Sequence, residues 1–222
     1  MSTAGPASEV DPRVFVEVLG PALRQAAAVA RALEGRVPNR PKEGADSDVK
    51  AALTLADSAA QEALLSALQE RFPQVALRAE EDTPGVAAFP AEEPGRPLVV
   101  IDPIDGTLHS YLEHRGPYAV MVGLAVTGRY QAALVALPRE GLFFDGVRGG
   151  PARRTRPRGE ARPVRAAADG NAVLVSHEMP GRVRERILER GLAPVSGCGG
   201  AISVAPLIPG VGAPPARGPA PH

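Results

Sequence analysis

The segment DPIDGT, residues 102–107, follows a continuous apolar run at 98–101, and this pairing constrains the chain more than any other feature. A short apolar run of this kind predicts a strand that is covered on both faces and ends at Asp102. If Pro103 opens a turn of helix, the carboxylates of Asp102 and Asp105 lie on one side. Burying two acids together is costly unless a cation neutralises them. The segment therefore predicts a cation site at the end of a buried strand.

The ligand types in this segment indicate which cation it would hold. Carboxylate oxygens without histidine or cysteine favour Mg²⁺ or Mn²⁺. Gly106 and Thr107 then supply exposed backbone N–H groups at a predicted helix start, where amides and the helix dipole hold a phosphate. A bland interpretation of one Asp-x-x-Asp pattern is a capped turn. Six residues in this order after this strand favour adjoining metal and anion sites instead.

Periodic patterns predict the elements around this segment. Helical spacing begins at Asp11-Pro12 and stops at Gly35, and a second helix runs to Phe72-Pro73. A short strand then delivers Glu80 and Glu81, residues 118–144 form a strand meander, and residues 147–165 form a long loop or irregular element. A further strand, a charged helix at 182–190 and another strand follow. The predicted organisation is a half carrying the site at 1–147, a connection at 148–170, a partial α/β half at 171–205 and a tail at 206–222.

Composition excludes several classes of protein. The formal net charge is +0 and the pI is about 6.9, so a purely electrostatic binder of nucleic acid is not expected. The single cysteine, Cys198, cannot form an internal disulfide, which favours a reducing compartment. No apolar run approaches the ~18 residues of a membrane span, and the first residues lack a signal-peptide pattern. We therefore expect a cytoplasmic protein without a membrane or nucleic-acid partner.

An arginine-rich run offers the main competing interpretation, a patch that binds polyanions. Its arginines are Arg148, Arg153, Arg154, Arg156, Arg158, Arg162 and Arg165. The neutral total charge, the absence of aromatic residues from the run and the general preference of this chain for arginine argue against such a patch. A solvated loop is the favoured interpretation.

Three motifs together resemble the inositol monophosphatase family, which consists of Mg²⁺-dependent, lithium-sensitive phosphatases related to fructose bisphosphatase. DPIDGT is similar to the family signature, residues 54–57 (TLAD) resemble its helical Thr/Ala/Asp segment, and Glu80-Glu81 resembles its Gly-Glu-Glu with Ala79 in place of glycine. Residues 196–201 resemble its substrate loop. The similarity covers roughly residues 12–205 and implies an α/β layered sandwich of the αβαβα type whose C-terminal part is incomplete.

The resemblance also implies a role for each matching residue. Glu80, Asp102 and the Ile104 carbonyl would bind a first Mg²⁺, and Asp102 and Asp105 would contribute to a second. Thr107, supported by Asp57, would orient the attacking water, and Glu81 would help to position it. The phosphate would be bound by Gly106, Thr107, Gly199, Gly200 and Ala201.

The chain departs from the family pattern near its C-terminus. The family carries a Trp-Asp pair there that completes the second metal site, but this chain has no Trp, and residues 191–222 contain neither Asp nor Glu. We expect a truncated or altered C-terminal end and a weakened second metal site. The expected activity is hydrolysis of an inositol monophosphate or sugar phosphate, with a homodimer as one possible assembly. The alternatives are a bisphosphate nucleotidase and a catalytically impaired relative that only binds metal and a phosphorylated ligand.

Overall fold

A computed structural model of the chain describes residues 10–40, 43, 53–114, 117–156, 159–164, 172–176 and 179–197. Two long helices cover one face of a seven-stranded mixed sheet, and a smaller two-stranded sheet with its own helix follows in the chain. The main core lies between the helices and the sheet. This is the layered α/β architecture that the sequence predicts.

The two predicted helices are present and pack against each other. Helix α1 spans Pro12–Leu33, and the Asp11 side chain caps it by accepting a hydrogen bond from the Arg13 backbone N–H at 2.7 Å. Helix α2 spans Leu55–Arg71 and begins at a capping box. The rings of Phe15 and Phe72 lie 5.8 Å apart, which joins the start of α1 to the end of α2. The helices therefore run antiparallel, and the start of α2 lies near the end of α1.

The large sheet has its strands in sequence order from β1 to β7. Strands β1 and β2 are parallel and all later neighbours are antiparallel. The strands are β1 (Ala76–Ala79), β2 (Leu98–Asp105), β3 (Ala119–Val126), β4 (Arg129–Leu137), β5 (Leu142–Val147), β6 (Arg153–Thr155) and β7 (Arg162–Pro163). The predicted meander at 118–144 is confirmed. Because β1 and β2 are parallel, the residues that follow Ala79 and Ile101 emerge at the same edge of the sheet.

Three local predictions were wrong. Strand β2 does not end at Asp102 but continues to Asp105, and the register with β3 shifts between these two residues. Such an irregularity accommodates Pro103, which cannot donate to a regular ladder. Along the apolar run, buried positions alternate with half-buried ones, so β2 is fully covered on one face only. Residues 147–165 also include two short strands, because β6 and β7 extend the sheet.

Short helices shape the loops after β1 and β2. A 3₁₀ helix spans Pro84–Ala88, and a π-helix spans Thr107–Leu112. The residue before the π-helix, Gly106, has φ +94°, a left-handed conformation that favours glycine. The backbone N–H groups of Ser110 and Tyr111 both donate hydrogen bonds to the Gly106 carbonyl oxygen. The turn after β2 therefore needs glycine at this position.

The second part of the chain follows the predicted strand–helix–strand pattern. Strands β8 (Ala172–Ser176) and β9 (Ala193–Gly197) are parallel, and helix α3 (Gly181–Glu189) lies between them in sequence. Within the described ranges, no helix combines the length and the hydrophobicity that crossing a membrane requires.

Candidate metal and phosphate site

The start of α2 carries the first group of predicted site residues. Thr54 and Asp57 are both buried and form a reciprocal cap. Oδ2 of Asp57 accepts hydrogen bonds from the Thr54 backbone N–H at 2.8 Å and from the Thr54 hydroxyl at 2.6 Å. The capping box therefore fixes the Asp57 side chain and leaves Oδ1 directed elsewhere.

The free oxygen of Asp57 faces Thr107 at the start of the π-helix. The Thr107 Oγ1 lies 3.1 Å from Oδ1 of Asp57 and 2.7 Å from the Ile104 carbonyl oxygen. A hydroxyl has one hydrogen, so Thr107 can donate to only one of these acceptors at a time. The shorter contact favours the Ile104 carbonyl. Any group that engages that carbonyl instead would leave the hydroxyl to donate to Asp57.

Burial raises the pKa of Asp57, although its hydrogen bonds from Thr54 and Thr107 act in the opposite direction. The residue is 1% exposed, so desolvation of the charged form outweighs these bonds. A buried carboxyl with a raised pKa accepts a proton more readily than an ordinary aspartate. Asp57 is thus suited to accept a proton from Thr107.

The second group of predicted residues lies at the shared edge of β1 and β2. The Glu80 backbone N–H donates to the Ile101 carbonyl at 3.2 Å, which places Glu80 beside Asp102. Oδ1 of Asp102 is buried and has no hydrogen-bond partner among the described residues. Burial, together with the negative charges of Glu80 and Asp105, raises the pKa of Asp102 to about 9. The structure therefore brings three predicted metal ligands together and leaves one buried oxygen unsatisfied.

This donor set fits a hard divalent cation. All the ligands are oxygens, and the charge repulsion around Asp102 is the kind that a bound cation removes. Among the described residues, however, no three acidic, histidine or cysteine side chains already converge in the geometry of a coordinated metal. The Glu80 side chain is exposed and the Asp105 side chain is half-buried, and Glu80 forms a side-chain hydrogen bond with Asp102. The oxygen chemistry and the charge of these three acids are therefore what supports a cation site.

Glu81 is held by a residue that sequence reasoning missed. Glu81 is 6% exposed, and its backbone N–H and carbonyl are both bonded to the side chain of Gln61, which is fully buried. Gln61 lies one turn after Asp57 on α2, and this i, i+4 spacing was the only available signal. Helix α2 therefore reaches both the Thr107 side and the Glu80 side of the site.

Two surface depressions do not coincide with the candidate metal and phosphate site. One depression of about 380 Å³ lies between the start of α1 and the β5–β6 turn. Another, of about 460 Å³, lies on the open face of the large sheet beside Tyr130. Neither contains a predicted site residue. The predicted phosphate-binding residues Gly199, Gly200 and Ala201 lie outside the described residues.

The fold and the acidic cluster together define an α/β protein with a candidate cation site beside a helix start. A family model described as the inositol monophosphatase family matches residues 15–195. The chain belongs to the inositol monophosphatase family, and this membership supports a phosphatase activity. No curated protein matches the chain significantly.

Solved structures of this family have the same fold. The Thermotoga maritima IMPase is 22% identical with a TM-score of 0.67, and the match covers 90% of this chain and 73% of that one. CysQ from Bacteroides thetaiotaomicron is 17% identical with a TM-score of 0.62, covering 86% of this chain and 74% of that one. A staphylococcal inositol monophosphatase-1, an inhibitory complex soaked in 100 mM LiCl, is 16% identical with a TM-score of 0.64, covering 85% and 68%. At these identities the likeness supports the fold alone.

Proposed function

We propose that the protein hydrolyses a small phosphomonoester, of the inositol monophosphate or sugar phosphate class, in a reaction that depends on Mg²⁺. Family membership supports the phosphatase class, and the requirement for Mg²⁺ and the substrate class go beyond it. The observation that carries the proposal is the buried Oδ1 of Asp102, which has no hydrogen-bond partner in the part of the chain that the structure describes and feels the charges of Glu80 and Asp105. An unsatisfied buried carboxylate oxygen destabilises the folded protein unless a partner such as a cation compensates for its burial.

Glu80, Asp102, Asp105 and the Ile104 carbonyl would hold the metal. When bound, Mg²⁺ supplies Lewis-acid stabilisation of the charge that develops on phosphate oxygens and makes water more acidic. Mn²⁺ has similar ligand preferences and is an expected substitute. Every other part of the proposal concerns residues of this chain.

Thr107 and Asp57 would orient the attacking water and take up its proton. Once the Ile104 carbonyl is engaged by a cation, the Thr107 hydroxyl would donate to Oδ1 of Asp57. The lone pairs of Oγ1 would then accept a hydrogen bond from water. Because burial raises the pKa of Asp57, that carboxylate is a better proton acceptor than an exposed one. This arrangement is a short relay from water through a hydroxyl to a buried acid.

The remaining predicted residues would bind and orient the reacting groups. The backbone N–H groups of Gly106 and Thr107 would bind the phosphate at the start of the π-helix, where amides lack partners within the helix. Gly199, Gly200 and Ala201 would approach it from the second half of the chain. Glu81 would help to position the attacking water beside Glu80.

The decisive experiment is a metal-depletion assay on the full chain. We expect protein treated with EDTA to hydrolyse no substrate in a panel of sugar, inositol and nucleotide phosphates, and Mg²⁺ to restore activity. Preference for a nucleotide bisphosphate would indicate a bisphosphate nucleotidase. Mg²⁺ binding without turnover would identify an impaired relative. Hydrolysis that is insensitive to EDTA would contradict the proposal.

A further inference from the structure

The side chain of Gln61 replaces a strand neighbour for Glu81. Strand β1 ends at Ala79, so the backbone of Glu81 has left the sheet although the residue is buried. Nε2 of Gln61 donates to the Glu81 carbonyl at 2.6 Å, and Oε1 of Gln61 accepts from the Glu81 N–H at 3.1 Å. Buried backbone groups need such partners. The Gln61 amide therefore bonds to both backbone polar groups of Glu81, and the Thr83 backbone N–H also donates to the Glu81 carbonyl at 3.1 Å.

The hydrogen-bond pattern requires glutamine at this position. The second Nε2 hydrogen is donated to the Thr83 hydroxyl at 2.8 Å, so both donors and the carbonyl oxygen of Gln61 are used. The Glu81 N–H needs an acceptor, and this determines which end of the amide faces it. A glutamate would place an oxygen against the Glu81 carbonyl, and a methionine would offer neither donor nor strong acceptor. The side chain is 0% exposed, so no water can take its place without opening the packing.

These bonds fix the backbone on one side of Glu80. On the other side, the Glu80 N–H is bonded to Ile101 of β2. Glu80 is therefore held between the sheet and helix α2, although its own side chain is exposed. The next helix residue extends the contact, because a carboxylate oxygen of Glu62 accepts from the Gly85 N–H at 2.9 Å. Two consecutive side chains of α2 thus hold the acidic loop that follows β1.

We infer that Gln61 is a positioning residue for the metal site and sets the placement of Glu80 relative to Asp102. This inference rests on the proposed function, since it assigns Gln61 to the same Mg²⁺ site. Partners of metal ligands change metal affinity even though they do not touch the metal. Because Asp57 and Gln61 lie on successive turns of α2, one helix holds both the Thr107 hydroxyl and the acidic loop that follows β1.

The test measures Mg²⁺ binding by calorimetry in the full chain with Gln61→Met. We expect the dissociation constant for Mg²⁺ to rise by about tenfold or more. At saturating Mg²⁺, turnover should return to within roughly threefold of the parent value, because the ligands themselves remain. Gln69→Met is the matched control, since Gln69 is exposed on the same helix, and it should bind Mg²⁺ like the parent.

Amide hydrogen exchange distinguishes failure of this inference from failure of the proposed function. Gln61→Met should expose the Glu81 amide to exchange whether or not Mg²⁺ binds. If the parent binds no Mg²⁺, the proposed function fails. If the parent binds Mg²⁺ and a folded Gln61→Met protein binds it equally well, the inference is overturned. Should that variant not fold, the parent still decides, because Mg²⁺ must shift the Gln61 side-chain amide resonances, and unmoved resonances would overturn the inference.

Discussion

The Thr107 hydroxyl and the Asp57 carboxylate meet at 3.1 Å although they lie 50 residues apart in the chain. The same carboxylate closes the capping box of α2 through Thr54. A residue that stabilises a helix start is thereby shared with the candidate site. Substitutions at Asp57 should therefore affect the free energy of unfolding and kcat to different extents, and both can be measured.

Asp57→Asn should keep the fold and lose activity. The asparagine oxygen can still accept from Thr54, and its NH₂ group can donate to the Thr107 Oγ1, which keeps its bond to the Ile104 carbonyl. Because burial raises the pKa of Asp57, removing the charge should leave the free energy of unfolding at neutral pH equal or greater. We expect kcat to fall by about 100-fold or more, since the proton acceptor is lost.

The matched control for this change is Asp11→Asn at the exposed cap of α1. It alters a helix cap in the same way but at the opposite end of the helix pair, so kcat should stay at the parent value. Parent-like turnover by Asp57→Asn would remove Asp57 from the proposed relay.

Asp105→Asn should abolish whatever phosphatase activity the protein has. The substitution removes the charge of a proposed metal ligand that acts on Asp102. Mg²⁺ affinity should fall with it, which calorimetry would measure. Asp145→Asn is the control, because Asp145 on β5 pairs with Arg153 on the neighbouring strand β6, and neither residue belongs to the candidate site. A mutant that hydrolyses the substrate panel as fast as the parent would show that the metal assignment is wrong.

Li⁺ should inhibit turnover at millimolar concentration. The resemblance to lithium-sensitive phosphatases implies a weakly held Mg²⁺ that Li⁺ can replace. The measurement is a Li⁺ titration at fixed Mg²⁺ beside an equal series of NaCl. Identical rates in the two series would place the protein outside the lithium-sensitive group.

Calorimetry should detect one Mg²⁺ site of ordinary strength in this chain. The second site has only Asp102 and Asp105 as predicted ligands, and residues 191–222 offer no further carboxylate side chain. A Mg²⁺ ion with few protein ligands keeps more water and binds weakly. We also expect slow turnover, because two metals stabilise the attacking and leaving oxygens together. Two tight sites with rapid turnover would show that another carboxylate completes the site.

A partly buried ion pair outside the acidic cluster, Glu34–Arg139, predicts a pH-dependent contribution to stability. Burial alone would raise the pKa of Glu34, but the hydrogen bonds and charge of Arg139, assisted by Arg31, outweigh it and hold that pKa below the usual 4.5. Arg139 also donates to the Ser110 carbonyl at 3.0 Å. We expect Arg139→Met to lower the free energy of unfolding at neutral pH by about 2 kcal/mol.

The sign of the pH effect follows from the lowered pKa. Stabilisation by ionised Glu34 is complete above its pKa in the unfolded chain and is lost as the pH falls through its lower pKa in the folded protein. Urea unfolding curves of the parent and Arg139→Met should therefore converge at a pH well below 4.5. Arg153→Met, which removes a half-exposed partner of Asp145, should change stability much less. A constant difference at every pH would contradict the assignment.

The sequence was sufficient to predict the parts of the fold that depend on local patterns. Asp11-Pro12 marks the start of the first helix, apolar periodicity indicates the second, and alternating residues predict the strand meander. These features depend on residues close in sequence. That Glu80 lies near Asp102 and Asp105 was implied only by the family resemblance, and in the structure the charges of Glu80 and Asp105 do act on Asp102.

Features that depend on tertiary context were not predictable. Pro103 suggested a helical turn, but pairing with β3 holds the segment extended and a register shift absorbs the proline. Gln61 belongs to no motif, and its function depends on a loop 20 residues away that packs against the helix. Apart from its i, i+4 spacing from Asp57, a single glutamine on a helix has no pattern that would distinguish it from a solvated one.

The topology of the large sheet has a kinetic consequence. Strands β3, β4 and β5 pair through short turns, whereas the parallel β1–β2 pair joins Ala76 to Leu98 and needs a long crossover. Contacts between distant parts of a chain form later because closing the longer loop costs more entropy. We expect a refolding chain to regain its β-sheet circular dichroism before any phosphatase turnover, since the sheet edge that carries the candidate site includes a parallel pair joined by a long connection.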